Sequence, residues 1–401
     1  MPHGLALALE ILTTVLTVAG MGYFLAAMVA ARVYLHERRR TMAAFAPGVS
    51  VLKSLKGLDP GMMDAFRSQC RQRYAGEFEL LFGVSSLNDP AVEAVEKLRA
   101  EFPALAIRLV ACPRRLGTNG KVSTLVQLAA HARHDFLLIN DSDITVSERY
   151  LERVMNCFAP KGDAGDKVRV GMVTALYRGR ALGTILQGGL WSRVEALGIA
   201  TDFMPGVLLS KMLEGGLHYG LGSTLAVSRE ALERSGGLLA LVDYLADDYE
   251  LGTRIASAGY RVELCAEVVE TGVPAYDWDG FTDHQLRWAR TVRDSRPGGY
   301  AGLIFTHGLG WALVNLLTSG VSPLSLWLLG LSFFMRLTQA MTVGTEVLSD
   351  HQVLANLWLL PLRDVVAMAV WAAGLTGNTI VWRGERFTLK NGKLAGVGEP
   401  C

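Results

Sequence analysis

Apolar residues crowd the two ends of the chain, and short apolar runs alternate with polar ones between them. Residues 5–35 form an almost unbroken hydrophobic run with Glu10 near its start and Arg32 near its end. That exceeds the roughly 20 residues a helix needs to cross the hydrocarbon core. The positive charge, Arg38-Arg39-Arg40, follows the run, the reverse of a cleaved leader. The pattern predicts a retained anchor with its N-terminus outside and the arginines in the cytosol. After Gly298, residues 303–319, 321–341 and 353–381 are hydrophobic again. Arg336 interrupts the second run, and Arg363-Asp364 behind Pro361 breaks the third, giving a re-entrant piece followed by a span or two shorter helices. Charges at that depth are expected to pair or to serve function. With the tail 382–401 also read as cytosolic, two or four crossings are expected after Gly298.

Between the ends the periodicity is that of an α/β domain. Residues 51–55, 78–84, 106–111, 136–139, 168–175, 225–227 and 259–264 read as strands. Helices are predicted from Asp59-Pro60 to Cys70, then over 91–100, 122–132, 150–158, 249–258 and 281–290. Such alternation predicts a parallel, doubly wound sheet with right-handed connections. The predicted organisation is an anchor and basic flank over 1–40, a cytosolic α/β domain over 50–298, transmembrane or re-entrant helices over 299–382, and a cytosolic tail over 383–401. Residues 161–167 read as an exposed polar loop. Residues 183–216 are oily but carry Arg193, Glu195 and Asp202, too polar a set to span a bilayer. They are expected to form core helices or to lie in the membrane interface, where a lipid substrate enters.

Composition narrows the class. Half of the 401 residues are apolar and mean hydropathy is +0.27, oilier than a soluble chain. The net charge of +1 gives no argument for a nucleic-acid partner. Five scattered cysteines without C-x-x-C spacing suggest reduced thiols and no zinc site.

The candidate chemistry centres on Asn140-Asp141-Ser142-Asp143, at the C-terminal end of an apolar strand, where open sheets bind ligands. Two carboxylates one residue apart, Asp141 and Asp143, suit Mg²⁺ or Mn²⁺ held jointly with substrate phosphates; alone, the stretch also reads as a solvated turn. Gly117-Thr118-Asn119-Gly120-Lys121 opens a helix and reads as a phosphate-binding turn or a cap with Lys121 in solvent. It is no P-loop. Gly220, Gly222 and the strand after them permit close backbone approach to a ligand or simply within a turn. Asp247-Asp248 heads a helix, where the dipole favours negative charge; one of the pair suits a general base for an acceptor hydroxyl. His284, Arg287 and Trp288 share nearly one helical face, with Arg287 suited to phosphate oxygens and Trp288 to a sugar or base.

In this order (D-x-D after a strand, an acidic pair at a helix start, Arg-Trp before membrane helices) the signals resemble the family 2-type glycosyltransferases of the GT-A fold. More closely, the chain is similar to the ceramide glucosyltransferase family. The resemblance is carried by residues 52–60, Asp89-Pro90-Ala91, 117–121, 140–144, 238–249 and Leu286-Arg287-Trp288, and it covers roughly residues 50–295. A bacterial branch placing N-acetylglucosamine on hopanoid polyols is compatible too. The resemblance implies a UDP-sugar donor, a lipid acceptor and an inverting transfer at the cytosolic face of a bacterial inner membrane. It implies Asp141 and Asp143 as holders of the metal and diphosphate, Asp248 with Asp247 as the base, Arg287 and Trp288 at the diphosphate and sugar, and Lys121 at the nucleotide. Two positions depart from the family pattern. Its first aspartate, expected at uridine, falls on Ser86, with Asp89 the nearest carboxylate, and His284 stands where Gln or Arg usually precedes Arg-Trp. A histidine there would make phosphate clamping pH-dependent.

A processive polysaccharide synthase shares D-x-D and Arg-Trp, but few C-terminal segments and His284 argue against it. A transporter or non-catalytic scaffold leaves three ordered signatures without a use.

Overall fold

The computed structural model describes residues 3–39, 43–160, 168–183, 189–382 and 384–396. The expected loop at 161–167, with Arg40, Arg383 and Cys401, lies outside them. The chain divides into two compact units that interleave along the sequence. One comprises Arg38–Arg178, Glu214–Gly272 and Gly392–Cys401; the other comprises Met1–Glu37, Gly179–Leu213 and Val273–Asn391.

The first unit is built on strands β1 (Val49–Leu55), β2 (Phe78–Val84), β3 (Ala106–Ala111), β4 (Phe136–Ile139), β5 (Val170–Ala181), β6 (Leu225–Ser228) and β7 (Arg261–Val273). Their order is β3-β2-β1-β4-β6-β5-β7. As the alternation predicts, β3, β2, β1 and β4 run parallel. The sheet is not parallel throughout, however: β6 lies antiparallel to both β4 and β5. The period-2 pattern that marks a strand carries no direction, so only the length of the preceding excursion bore on it. Apolar faces of the helices Met62–Cys70, Ala91–Glu101 and Tyr150–Asn156 close over the sheet, with Phe66, Phe82, Leu98, Leu138 and Tyr150 fully buried. The four described cysteines, Cys70, Cys112, Cys157 and Cys265, are buried and form no disulfide with one another.

Helix starts in this unit follow local chemistry. Asn119 caps Gly120–Ala129 by accepting from Val122 N. The acidic pair lies within the first turn of Asp247–Ser257, two residues earlier than the pattern suggests.

The second unit is helical and oily. Among the described residues, four helices are long and apolar enough to cross a membrane: Gly4–Glu37, Gly189–Leu213, Pro323–Val347 and His351–Gly374. A fifth candidate, Pro297–Thr306 with Gly308–Thr318, is bent by 57°. Gly189–Leu213 lies in the oily stretch expected over 183–216 as core or interfacial helices; by length and composition it also passes as a span, and its polar groups are paired among helices: Glu195 with His284 and Gln285, Arg193 with Asn356, Asp202 with Arg336 and Arg363. Pairing removes the cost that the sequence count assumed. The third C-terminal run is interrupted as expected, into the shorter helices His351–Asn356 and Leu360–Gly374 with a tighter turn at Leu357–Leu359 between them, and Pro361 occupies the first turn of the second, where no N–H is lost; the sharper bend, of 57°, falls in the first run.

A buried charge knot joins three of these helices. Arg336 donates to Asp364 through Nε at 3.0 Å and Nη2 at 2.6 Å, to Thr201 O at 2.6 Å, and to Asp202. Arg363 donates from Nε to Asp202 at 2.6 Å. The π-helical turn Ile199–Phe203 frees the Thr201 carbonyl that Arg336 and Gln339 use. Elsewhere in the unit two backbones touch, since a Cβ on Gly20 would fall 2.2 Å from Gly308 Cα. Asn315 Nδ2 donates beside that crossing to Thr13 and Thr14 hydroxyls, each at 2.9 Å.

Candidate active site

β4 ends at Ile139, and the chain turns there through Asn140-Asp141-Ser142-Asp143. Its neighbour β1 contributes Lys53, whose side chain is 1% exposed and whose Nζ donates to Asp141 O at 2.8 Å. Burial pulls that ammonium down to about 8, against the charges of Asp143 and Asp141. Ser142 Oγ donates to Asp59, which ties the turn to the loop after β1.

The two aspartates then diverge. Thr145 bridges to Glu270 of β7, and this brings Thr271 Oγ1 to 2.5 Å and Gly272 N to 3.1 Å from Asp143 Oδ2. Burial and the charge of Asp141 nonetheless hold Asp143 above the usual carboxylate range. Asp141 is half-open, with its side chain 45% exposed, and takes Lys121 Nζ at 2.8 Å on Oδ1.

Lys121 stands in the first turn of Gly120–Ala129, and its ammonium also reaches Asp247 Oδ2 at 3.5 Å. Burial alone would lower its proton affinity, but Asp141 and Asp247 outweigh this and raise it well above the ordinary lysine value. The two loops that carry these groups are fastened together. Thr118 donates N–H and Oγ1–H to Asp243 Oδ1 at 3.0 and 3.1 Å, and Asn119 Nδ2 donates to Tyr244 O at 2.7 Å.

Asp248 follows in the same helical turn as Asp247. Burial pushes it up to about 6, with Asp247's charge adding and Lys121's opposing. A Cβ placed on Gly222 would lie 3.0 Å from Asp248 Oδ2 and 3.9 Å from Asp141 Oδ2. The two carboxylates therefore face one spot, kept open by a residue without a side chain. The Gly222 loop is itself secured, with Leu221 N donating to Thr174 Oγ1 at 2.9 Å and Thr224 Oγ1 bonded to Tyr150 OH at 2.9 Å.

The structure thus gathers Asp141, Asp143, Lys121, Asp247, Asp248 and Gly222 within the first unit. Ser86 and Asp89 sit in the same unit but are otherwise engaged. Ser86 is exposed and its Oγ accepts from Asn88 N at 3.1 Å; Asp89 accepts from Ala91 N at 2.9 Å and Gly57 N at 3.0 Å. Asp89 is a helix and loop fastener in this geometry.

His284, Arg287 and Trp288 belong to the second unit, on the helix Trp278–Ser295. His284 and Trp288 share a face as the spacing predicts, their rings 5.1 Å apart, and Phe203 lies 6.0 Å from Trp288. His284 Nδ1 is 2.9 Å from Glu195 Oε2.

Lys53, Thr271, Gly272 and Glu195 escaped the sequence reading. Lys53 shares the i±2 face of its strand with Val49, Val51 and Leu55, which marks it as inward-facing and so in need of a partner. Nothing local marks the others, because their partners lie far along the chain.

A family model, glycosyl transferase family 21, matches residues 12–395. Ceramide glucosyltransferase 3 of Caenorhabditis elegans is 24% identical over 363 residues, covering 86% of this chain and 73% of that protein. Ceramide glucosyltransferase 1 of the same organism is 22% identical over 368 residues, covering 86% and 72%. Among solved structures, a mannosyltransferase from Pyrobaculum calidifontis in complex with GDP-Man and Mn²⁺ superposes with a TM-score of 0.50 at 21% identity, covering 92% of this chain and 97% of that one. The shared architecture is the GT-A glycosyltransferase fold.

Proposed function

The chain belongs to glycosyl transferase family 21, and on that premise we propose that it moves glucose or N-acetylglucosamine from a UDP-sugar to the hydroxyl of a membrane lipid, a ceramide-type sphingolipid or a hopanoid polyol. The coarse activity, hexosyl transfer to a lipid, comes with the family. The observation that carries the finer reading is the convergence of Asp248 and Asp141 on Gly222, with Lys121 between Asp141 and Asp247.

Asp248 is the base. Its carboxylate takes the proton of the attacking alcohol while the nucleoside diphosphate departs from the opposite side of the sugar, an in-line path that inverts the anomeric centre. Its raised proton affinity suits a group that must accept a proton near neutrality. Asp247 keeps Lys121 in place. Lys121 offers its charge to the diphosphate, the kind of stabilisation worth most in a water-poor site.

Asp141 and Asp143 would hold Mg²⁺ or Mn²⁺. No group of three or more His, Cys, Asp or Glu side chains among the described residues stands ready to hold an ion alone. A pair of carboxylates fits an ion that completes its shell with diphosphate oxygens and water, and Gly222 leaves room beside Asp141. When bound, the ion would neutralise charge developing on the leaving group. Arg287, Trp288 and His284 serve the donor, Arg287 and His284 at the diphosphate and Trp288 at the sugar. Ser86 and Asp89 remain candidates at the nucleoside, and Asp89's backbone bonds favour a supporting part. The first unit works at the cytosolic side of a bacterial inner membrane, and the segments 1–40, 50–298, 299–382 and 383–401 keep their proposed sidedness.

The test is incubation of the purified full chain, in detergent or lipid discs, with UDP-glucose or UDP-GlcNAc and ceramide or bacteriohopanetetrol, read by mass spectrometry. A lipid carrying one hexose supports the reading. A polymeric product, or no product with any pair, overturns it.

A further inference from the structure

Glu195 enters none of the roles above. It lies on the helix Gly189–Gly198 with its side chain only 4% exposed. A carboxylate so confined needs donors, and the structure supplies two on the same oxygen: His284 Nδ1 at 2.9 Å and Gln285 Nε2 at 3.2 Å. With Glu195 Oε2 as the shared acceptor, the pairing has His284 donating from Nδ1. The imidazole is also flanked by rings, with the Tyr276 centroid at 5.6 Å and 26° and the Trp288 centroid at 5.1 Å and 49°. Three neighbours thus fix its plane and its tautomer. Nε2 has no partner among the described residues, and the side chain keeps 19% exposure.

The arrangement is anchored further in. Gln285 Oε1 accepts from Arg363 Nη1 at 2.9 Å, and Arg363 belongs to the charge knot with Asp202. Glu195 and Gln285 therefore cannot drift without disturbing a buried ion pair, the kind of arrangement that holds a functional group within a fraction of an ångström.

We propose that Glu195 is a positioning residue for transfer: it locks the His284 ring so that Nε2 is the nitrogen offered to the phosphate oxygens of the sugar-nucleotide donor. This rests on the reading of His284 as a donor-binding residue. Sequence departs from the family pattern at His284, and Glu195 supplies the constraint that a shorter, freely rotating ring needs there. A carboxylate behind a histidine fixes which nitrogen is presented, just as it does behind metal-bound imidazoles.

The experiment is a double-mutant cycle on the full chain in lipid discs, reading KM for UDP-sugar, kcat and thermal unfolding. Glu195→Leu is expected to raise the donor KM by about tenfold, the size of a lost charge-assisted hydrogen bond, with kcat changed much less. Glu195→Gln keeps an acceptor oxygen and is expected to recover most of the loss. In a His284→Gln background, Glu195→Leu should add no further rise, because the ring it orients is gone. Independent, multiplicative effects, or an unchanged KM in Glu195→Leu, overturn the proposal while leaving His284 at the donor. An unchanged KM in His284→Gln instead overturns the donor reading itself and the proposal with it. If Glu195→Leu does not fold, the cycle is run with Glu195→Gln, for which the same absence of additivity is expected at smaller size.

Discussion

Lys121 Nζ lies 2.8 Å from Asp141 Oδ1, and the same ammonium stands 3.5 Å from Asp247 Oδ2. One cation thus separates the carboxylates proposed for metal binding from those proposed for proton transfer. Replacing it with a neutral chain of similar length, Lys121→Met, leaves Asp141, Asp247 and Asp248 without the cation they share. Their mutual repulsion then raises proton affinities, including that of Asp248, which burial and Asp247 already push up and Lys121 restrains. Lys121→Met should lower kcat/KM by at least about tenfold and move the acidic limb of the pH–rate profile to higher pH. A profile that drops in height without moving would show that Lys121 does not tune the base.

Asp248 predicts a pH dependence with a definite sign. A base works ionised, so transfer should be retained above about 6 and fade as pH falls through it. Stability runs the other way. A carboxylate whose affinity is raised by folding stabilises the fold most when protonated, below its unfolded value, and loses that contribution as pH climbs through the folded value. Asp248→Asn should therefore abolish transfer, leave UDP binding largely intact, and raise the melting temperature near pH 8. Isothermal titration with UDP, activity and thermal unfolding together check this, and retained transfer would remove Asp248 from the mechanism.

Gly222 is the cheapest probe of the opening itself. A methyl group there would come within 3.0 Å of Asp248 Oδ2, closer than such contacts allow, so the carboxylate must shift. Gly222→Ala should cost roughly a hundredfold in kcat, as small misplacements of reacting groups do, with little change in the unfolding midpoint. Near-parent turnover would mean that the space above Gly222 is not where reaction occurs.

Asp143 is held by Thr271 and Gly272, which makes its orientation separable from its charge. Asp143→Ala should weaken metal-dependent UDP binding, and removal of divalent ions with a chelator should mimic it in the parent. Thr271→Val, which keeps the carboxylate but removes one of its donors, should raise the metal concentration needed for half-maximal activity by about tenfold. Transfer unaffected by chelation would separate the aspartate pair from any ion.

Legibility in the sequence followed the physics of each signal. β2, β3 and β4 were bounded to the residue because apolar runs end abruptly at turn formers. The direction of β6 was not legible, since side-chain alternation is the same for either sense. In Gly189–Leu213 the sequence shows Arg193, Glu195 and Asp202 but not what neutralises them, because their partners Asn356, His284 and Arg336 lie far along the chain. The acidic residues that the structure gathers are legible by spacing, and Lys53 shows as an inward-facing charge on its strand, but its partner at Asp141 O and the hold of Thr271 on Asp143 emerge only when the strands are laid side by side. Ser86 and Asp89 show the converse, where a family pattern points to residues whose bonds go to Asn88 N, and to Ala91 N and Gly57 N.

The backbone crossing of Gly20 and Gly308 sets a timetable as well as a geometry. The first helix leaves the ribosome long before its partner exists, and must persist in the bilayer with its glycine and threonine notch facing lipid. Final assembly of the helical unit waits for the end of translation. A lesion at Gly308 should accordingly appear as an early-made, well-inserted chain that never matures, a failure of biogenesis and not of chemistry.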